Sequence, residues 1–325
     1  MEYQRMSLFT NWVNLLQYLC KGWQHIASPF FILYQPLHFW VISFHIFTHK
    51  TKMMSPKRFI SEGVDFLQQL YQNRYLIYRL TNRDFNNKYI RNYFGLGWAI
   101  LDPLAFIVIL FFVFNMRFGG RDALGVPYIT YLIAGYIAYD FFSYVLHNAT
   151  NSISEYSWLL TKVNFRVAIL PLVKILSGLQ MHCIILLIAT IIFIIEKITI
   201  SFYWLQVFYY IFSLCIFLTG IAWFTSSINL FFPDIKNITN ILIRILFFLT
   251  PLFWHMEGLP KTYATILKIN PLFYIVNGYR DSFLYGIAFW KHPSLTIYFW
   301  GVTLFLLILG ISVFKKLRPH FADVI

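Results

Sequence analysis

Charge is scarce in this chain. Asp, Glu, Lys and Arg make up 12% of its 325 residues, against roughly a quarter in soluble domains. A soluble protein needs a charged skin over about 25 to 35% of its surface, and there are too few residues here to build one. Cysteine is sparse as well: Cys20, Cys183 and Cys215 stand in apolar surroundings without paired spacing, which supports neither a disulfide framework nor a zinc site. No G-x-x-x-x-G-K-[ST] phosphate loop occurs, so the chain has no such route to ATP hydrolysis. Neither H-E-x-x-H nor a nucleophile elbow is present. No catalytic site, metal site or resident cofactor is expected.

What is abundant is apolar, at 59% of residues, of which 21% of the chain is aromatic. The net charge of +13 comes from basic residues scattered between apolar runs, which argues for membrane topology and against a nucleic-acid stripe. A spanning helix needs about 20 mostly apolar residues. Six segments approach that length, at about 98–116, 128–147, 169–195, 203–231, 238–256 and 295–314. Between the fifth and sixth, residues 259–290 are apolar but broken by Pro260, Pro271, Gly278 and Gly286. Broken backbone at membrane depth survives only under a cover of protein or water, so this stretch reads as a re-entrant hairpin. The fold expected is all-α and polytopic.

Lys and Arg near spans are retained on the cytoplasmic side. Placing the N-terminus inside puts most of them there, leaving Arg117, Arg121, Lys197, Lys261, Lys268, Arg280 and Lys291 outside. Both termini are then cytoplasmic. Residues 1–58 form an extension in which Pro29 to Phe47 is apolar but interrupted by Pro36, His38 and His45. It reads as poorly structured or as leader sequence ahead of Met53 and Met54, in preference to a seventh span. Residues 59–92 read as interfacial helices: Ile60, Val64, Leu67 and Tyr71 share a face, and Arg74, Arg79, Arg83, Lys88 and Arg91 suit anionic headgroups. Residues 93–325 form the transmembrane domain.

The loop after the second span carries Ser152 and Glu155 at capping-box spacing. Tyr156, Leu159, Leu160 and Val163 then share one apolar face, with Trp158 beside it. A helix over 153–164 is expected in the cytoplasm. Spacing alone admits two roles for it, docking into a groove on a soluble partner or lying along the membrane. Ionisable residues within or near spans are Asp102, Asp140, Lys174, Arg244, Arg280 and Asp281. Snorkelling at span ends accounts for most of them, and Arg280 and Asp281 in the hairpin do not fit that account. His147 and His182 each stand alone and read as packed residues.

From about residue 59 onward the chain resembles the permease subunits of polysaccharide-exporting ABC transporters, over about four fifths of its length. The resemblance is carried by Tyr93-Phe94-Gly95-Leu96-Gly97-Trp98 with Asp102-Pro103, by Lys162-Val163-Asn164-Phe165 with Leu170-Pro171, and by Phe321-Ala322-Asp323. Within that group it looks closest to the wall teichoic acid translocation permeases. The stretches concerned are Gly125-Val126-Pro127-Tyr128, Ile243-Arg244-Ile245-Leu246 with Thr250-Pro251-Leu252-Phe253-Trp254, and Asn270-Pro271-Leu272-Phe273-Tyr274. Permeases for O-antigen or capsular polysaccharide share the layout, and the extension before residue 59 departs from it.

The resemblance implies six spans, a coupling helix between spans two and three, and re-entrant helices with Pro271, Arg280 and Asp281 at an outer gate. It implies a homodimer in a bacterial plasma (inner) membrane, working with two copies of a separate ATPase subunit that binds ATP and Mg. The cargo would be an undecaprenyl-linked polymer. Spans one and five would line its path, making Trp98, Phe248 and Trp254 contact residues, with Tyr136, Tyr139 and Tyr274 beside them. Two other classes would need different patterns. A membrane-embedded transferase acting on lipid-linked sugars needs paired intramembrane acids or histidines, and an ion-coupled transporter needs repeated halves; neither pattern is found.

Overall fold

The computed structural model describes residues 68–89, 93–95, 97–118, 125–160, 166–252, 254 and 260–324. The chain divides into two units, Met1–Arg58 and Phe59–Ile325, and all described residues belong to the second. The N-terminal extension, the helical face of Ile60, Val64 and Leu67, and the position of Val163 therefore lie outside the described residues.

The described residues fold as helices with no strand among them. In order these are α1 (Arg74–Tyr89), α2 (Gly97–Phe118), α3 (Tyr128–Thr150), the single turns α4 (Ser152–Glu155) and α5 (Ser157–Leu160), and α6 (Ile169–Ile195). Then come α7 (Gln206–Phe231), α8 (Asp234–Leu249), α9 (Lys261–Ile269), α10 (Pro271–Arg280), α11 (Pro293–Leu317) and α12 (Phe321–Val324). Helix is the dictated choice for such runs, because it satisfies every backbone amide within the segment when lipid offers no partner.

Among the described residues, four helical stretches are long and apolar enough to cross a membrane: Tyr128–Thr150, Ile169–Ile195, Phe202–Phe231 and Pro293–Val324. The other two expected spans are helical as well. Helix α2 has 22 residues, or ~33 Å of rise. Helix α8 has 16 residues, or ~24 Å of rise against a hydrocarbon core of ~30 Å. Its end at Leu249 has a local cause: Thr250 precedes Pro251, whose ring disfavours helical backbone at the residue before it, and Thr250 is extended at ψ 132°. The expected run to residue 256 crossed that stop.

Helix α3 is the hub. It packs against α2, α6, α7, α8 and α10, and 78% of its apolar window is buried, compared with 22% for α11 at the periphery. Helix α7 lies along α11, where Gly220 faces Gly310 and the two backbones come into direct contact. Small residues at such crossings are the usual means of packing helices in lipid, where apolar burial gives no drive between them. Short α1 lies on α6, and α10 packs on α3.

Candidate functional site

Three regions interrupt the spanning mass: the elbow after α3, the aromatic positions near α2 and α8, and the hairpin between α8 and α11. At the elbow the expected single helix over 153–164 is broken at Tyr156 into the turns α4 and α5. The expected capping box does not form. The N-cap residue is Asn151, without a side-chain cap. Ser152 is fully buried and its Oγ donates to the Ala149 carbonyl at 2.7 Å. The last carbonyls of α3 have no partner within the helix, and the Ser152 hydroxyl reaches one of them. Glu155 is drawn elsewhere, to the Lys174 ammonium at 2.9 Å, since a charged donor outcompetes a backbone amide.

Tyr156 also departs from the expected docking face. It is buried, and its hydroxyl donates to Asp84 Oδ1 on α1 at 3.0 Å. Burial first, and then the negative charge of Asp84, push the Tyr156 hydroxyl pKa well above its ordinary value, so it stays a donor. Trp158 is half-exposed with the Arg83 guanidinium 5.0 Å from its ring centroid. Leu159 and Leu160 belong to α5, but their side chains lie outside the described residues.

The centre of the elbow is Lys174, which sequence reasoning assigned to snorkelling at a span end. It does not snorkel: its side chain is 3% exposed and sits 2.5 Å from Asp84 Oδ1 and 2.9 Å from Glu155 Oε2. The Tyr156 ring centroid is 5.1 Å from Nζ. A buried ammonium is tolerable only when paired and hydrogen-bonded, and here partners come from α1 and α4 to a residue on α6. Neither Asp84 nor the pairing was visible in the sequence, because the three residues belong to three separate elements.

The aromatic positions divide into two groups. Tyr136, Tyr139 and Tyr274 are interior staples. Tyr136 packs on Phe106 of α2 at 5.0 Å and donates to Asp140 at 3.2 Å. Tyr139 donates to the Ile243 carbonyl and meets the Phe247 ring on α8 at 5.4 Å. Tyr274 shares a hydrogen bond of 3.0 Å with Tyr209 and receives one of 3.2 Å from Thr296. Their rings are buried in contacts between helices of one chain. Trp98 and Phe248, by contrast, are exposed. They belong to helices with bare apolar sides: Val108, Ile109 and Phe112 on α2, and Ile241, Leu242 and Ile245 on α8, are all exposed. Trp254 is half-buried, and its carbonyl accepts from the Tyr131 hydroxyl at 3.1 Å.

In the hairpin, α9 and α10 are separated by Asn270, whose side chain accepts from the Leu272 amide at 3.0 Å and donates to Thr250 Oγ1 at 2.8 Å. Pro271 holds the first position of α10, where its missing amide costs nothing. The adjacent residues Arg280 and Asp281 reach different partners. Arg280 is buried, donating from Nη2 to the Leu252 carbonyl at 2.7 Å and from Nε to the Tyr131 carbonyl at 3.3 Å. Its guanidinium lies 3.6 Å from the Tyr131 ring centroid. Asp281 turns instead toward His292, at 3.5 Å. The hairpin is thereby locked to α3 and to the end of α8. Of the two lone histidines, His182 is buried and bonded to the Tyr279 hydroxyl at 2.9 Å, while His147 meets Asn240 at 2.7 Å.

The profile of the ABC-2 type transporter family matches residues 75–284, from α1 through the hairpin. This chain belongs to that family. The O-antigen export system permease protein RfbA of Klebsiella pneumoniae is 28% identical over 256 residues, 77% of this chain and 95% of the relative. The protein of the same description from Myxococcus xanthus is 23% identical over 80% of this chain and 99% of its own length. The polysialic acid transport protein KpsM of Escherichia coli is 23% identical over 63% of this chain and 79% of its own. As an ABC-2 transporter chain, the molecule is a membrane-embedded transport component, and its elbow, hairpin and bare helix faces lie inside the family match.

Proposed function

We propose that the chain is the permease of an ATP-driven exporter of a lipid-linked surface polysaccharide of the O-antigen or capsular class. The observation that carries this reading is the match to O-antigen export permeases over 95% and 99% of their length. The sequence stretches closest to wall teichoic acid permeases favour a different cargo in the same layout, and the relatives weigh toward O-antigen and capsule.

In this reading ATP and Mg bind a separate ATPase subunit, present in two copies, which meets the cytoplasmic elbow through α5. Two copies of the permease turn the bare faces of α2 and α8 toward each other, and α2 and α8 serve as the first and fifth of six spans per chain, with both termini cytoplasmic. Trp98 and Phe248 then face the polymer. Their aromatic faces suit stacking against sugar rings. The hairpin with Pro271, Arg280 and Asp281 closes the outer end.

The test has two parts. The chain, purified from its host membrane, is expected to bring down an ATPase subunit, and Leu159→Asp with Leu160→Asp is expected to lose that subunit while remaining in the membrane. Deleting the gene should leave lipid-linked polymer inside the cell, and its composition identifies the cargo. Accumulated sugar polymer without polyol phosphate supports this assignment. A polyol-phosphate polymer would return the cargo to teichoic acid, and export without any ATPase would refute the whole reading.

A further inference from the structure

The seam between α1 and α6 is unusually polar for an interface beside apolar spans. Ile77 and Leu80 are the buried apolar residues that α1 brings to the core. Beside them Thr81 Oγ1, Ser177 Oγ and Gln180 Oε1 are buried without hydrogen-bond partners. Orphaned polar atoms weaken a fixed interface by about 1 to 3 kcal/mol each, so this surface is poorly suited to holding α1 by itself. The outer side of α1 is open, with Tyr75 and Tyr78 both 63% exposed. Polar contacts fasten only its C-terminal half: Gln180 Nε2 donates to Asn82 Oδ1 at 2.8 Å, Lys88 lies 3.8 Å from the Tyr144 ring centroid, and Asp84 is bonded at once to Lys174 of α6 and to Tyr156 of the elbow.

The geometry points to Lys174 as the positioning residue that transmits elbow movement to α1. One ammonium grips Asp84 on α1 and Glu155 on α4 together, and Tyr156 closes the triangle from the elbow side. A displacement of the elbow by a nucleotide-driven partner therefore pulls on Asp84, and α1 follows along a seam whose unpaired polar groups can exchange partners or take up water. This rests on the reading that the elbow meets an ATPase subunit. The discrete element with two positions would be α1, and the coupling free energy would be lodged in the Lys174 pairs.

The experiment uses the permease purified together with its ATPase subunit, and the host strain carrying each variant at equal membrane abundance. Lys174→Ala is expected to retain the ATPase subunit and its ATP hydrolysis while surface polysaccharide falls by about tenfold or more. Lys174→Arg, which keeps the charge, is expected to recover most of the export. Maleimide labelling of Ile77→Cys should change with ATP in an otherwise unaltered chain and stop responding when Lys174→Ala is added. Normal export by Lys174→Ala, or loss of the ATPase subunit in step with loss of export, would overturn the inference, the second result making the knot merely part of the docking surface. If Lys174→Ala does not accumulate, Asp84→Asn is read by the same criteria, since it removes the charge at nearly constant shape. Failure of the unmodified chain to bring down any ATPase subunit would instead refute the parent reading, and this one with it.

Discussion

Gly310 of α11 lies so close to Gly220 of α7 that a β-carbon on Gly310 would stand 2.2 Å from the Gly220 carbonyl oxygen. A β-carbon on Gly220 would in turn meet the Leu307 amide nitrogen at 2.8 Å. Both obstacles are backbone, so neither helix can yield by turning a side chain. Gly310→Val is therefore expected to force α7 and α11 apart and to cost about 1 to 3 kcal/mol or more. Thermal denaturation in detergent, followed by fluorescence-detected size exclusion, should show a lowered Tm, whereas Gly301→Ala, with open space around it, should leave Tm unchanged.

Arg280 gives a test in which the conservative replacement is the worse one. The planar guanidinium bonds two carbonyls and stacks on Tyr131 together, which a point-charge ammonium cannot do. Arg280→Lys leaves a buried, underpaired cation, while Arg280→Met removes the charge and keeps much of the volume. Replacing buried ionic groups by apolar ones of similar size is often tolerated, but leaving one uncompensated costs about 3 to 5 kcal/mol. The expected order of Tm is wild type, then Met, then Lys. Gly135→Ala should resemble the Lys variant, because its β-carbon would fall 2.5 Å from Arg280 Nη2.

Phe248 and Tyr139 separate transport from stability. Phe248 is 68% exposed, so Phe248→Ala is expected to leave Tm of the single chain unchanged while lowering the amount of polymer exported. Tyr139→Phe removes a hydroxyl that fastens α3 to the Ile243 carbonyl of α8 and should cost about 1 kcal/mol. Surface-polysaccharide assays paired with thermal denaturation check both. Equal Tm losses for the two variants would contradict the division of aromatics into interior staples and exposed faces.

Much of the helical layout was readable from the apolar runs. The third span was expected at 169–195, and α6 is Ile169–Ile195, because an uninterrupted run of that length leaves a helix no reason to stop early. Helix α8 was misjudged at both ends. It begins at Asp234, among residues polar enough to escape a hydropathy reading but able to start a helix behind Pro233, and it ends at Leu249, two residues before Pro251. The elbow was legible as an interruption but not as chemistry. Ser152 and Glu155 have the right spacing for a capping box, yet spacing does not reveal that an Ala149 carbonyl and a buried Lys174 compete for the same two side chains. Pairings such as Asp84 with Lys174, 90 residues apart, depend on which helices meet, and no local pattern announces them.

The Arg280 cage also sets an order of events during biogenesis. Its acceptor on α3 lies 149 residues upstream, so α3 enters the membrane and waits, with the space beside Gly135 unfilled, until the hairpin has been synthesised. Arg280 then has to be delivered into an already formed groove. The hairpin docks late, and a chain stopped before it would lack α11 as well and would hold the Tyr131 and Leu252 carbonyls without their Arg280 donor.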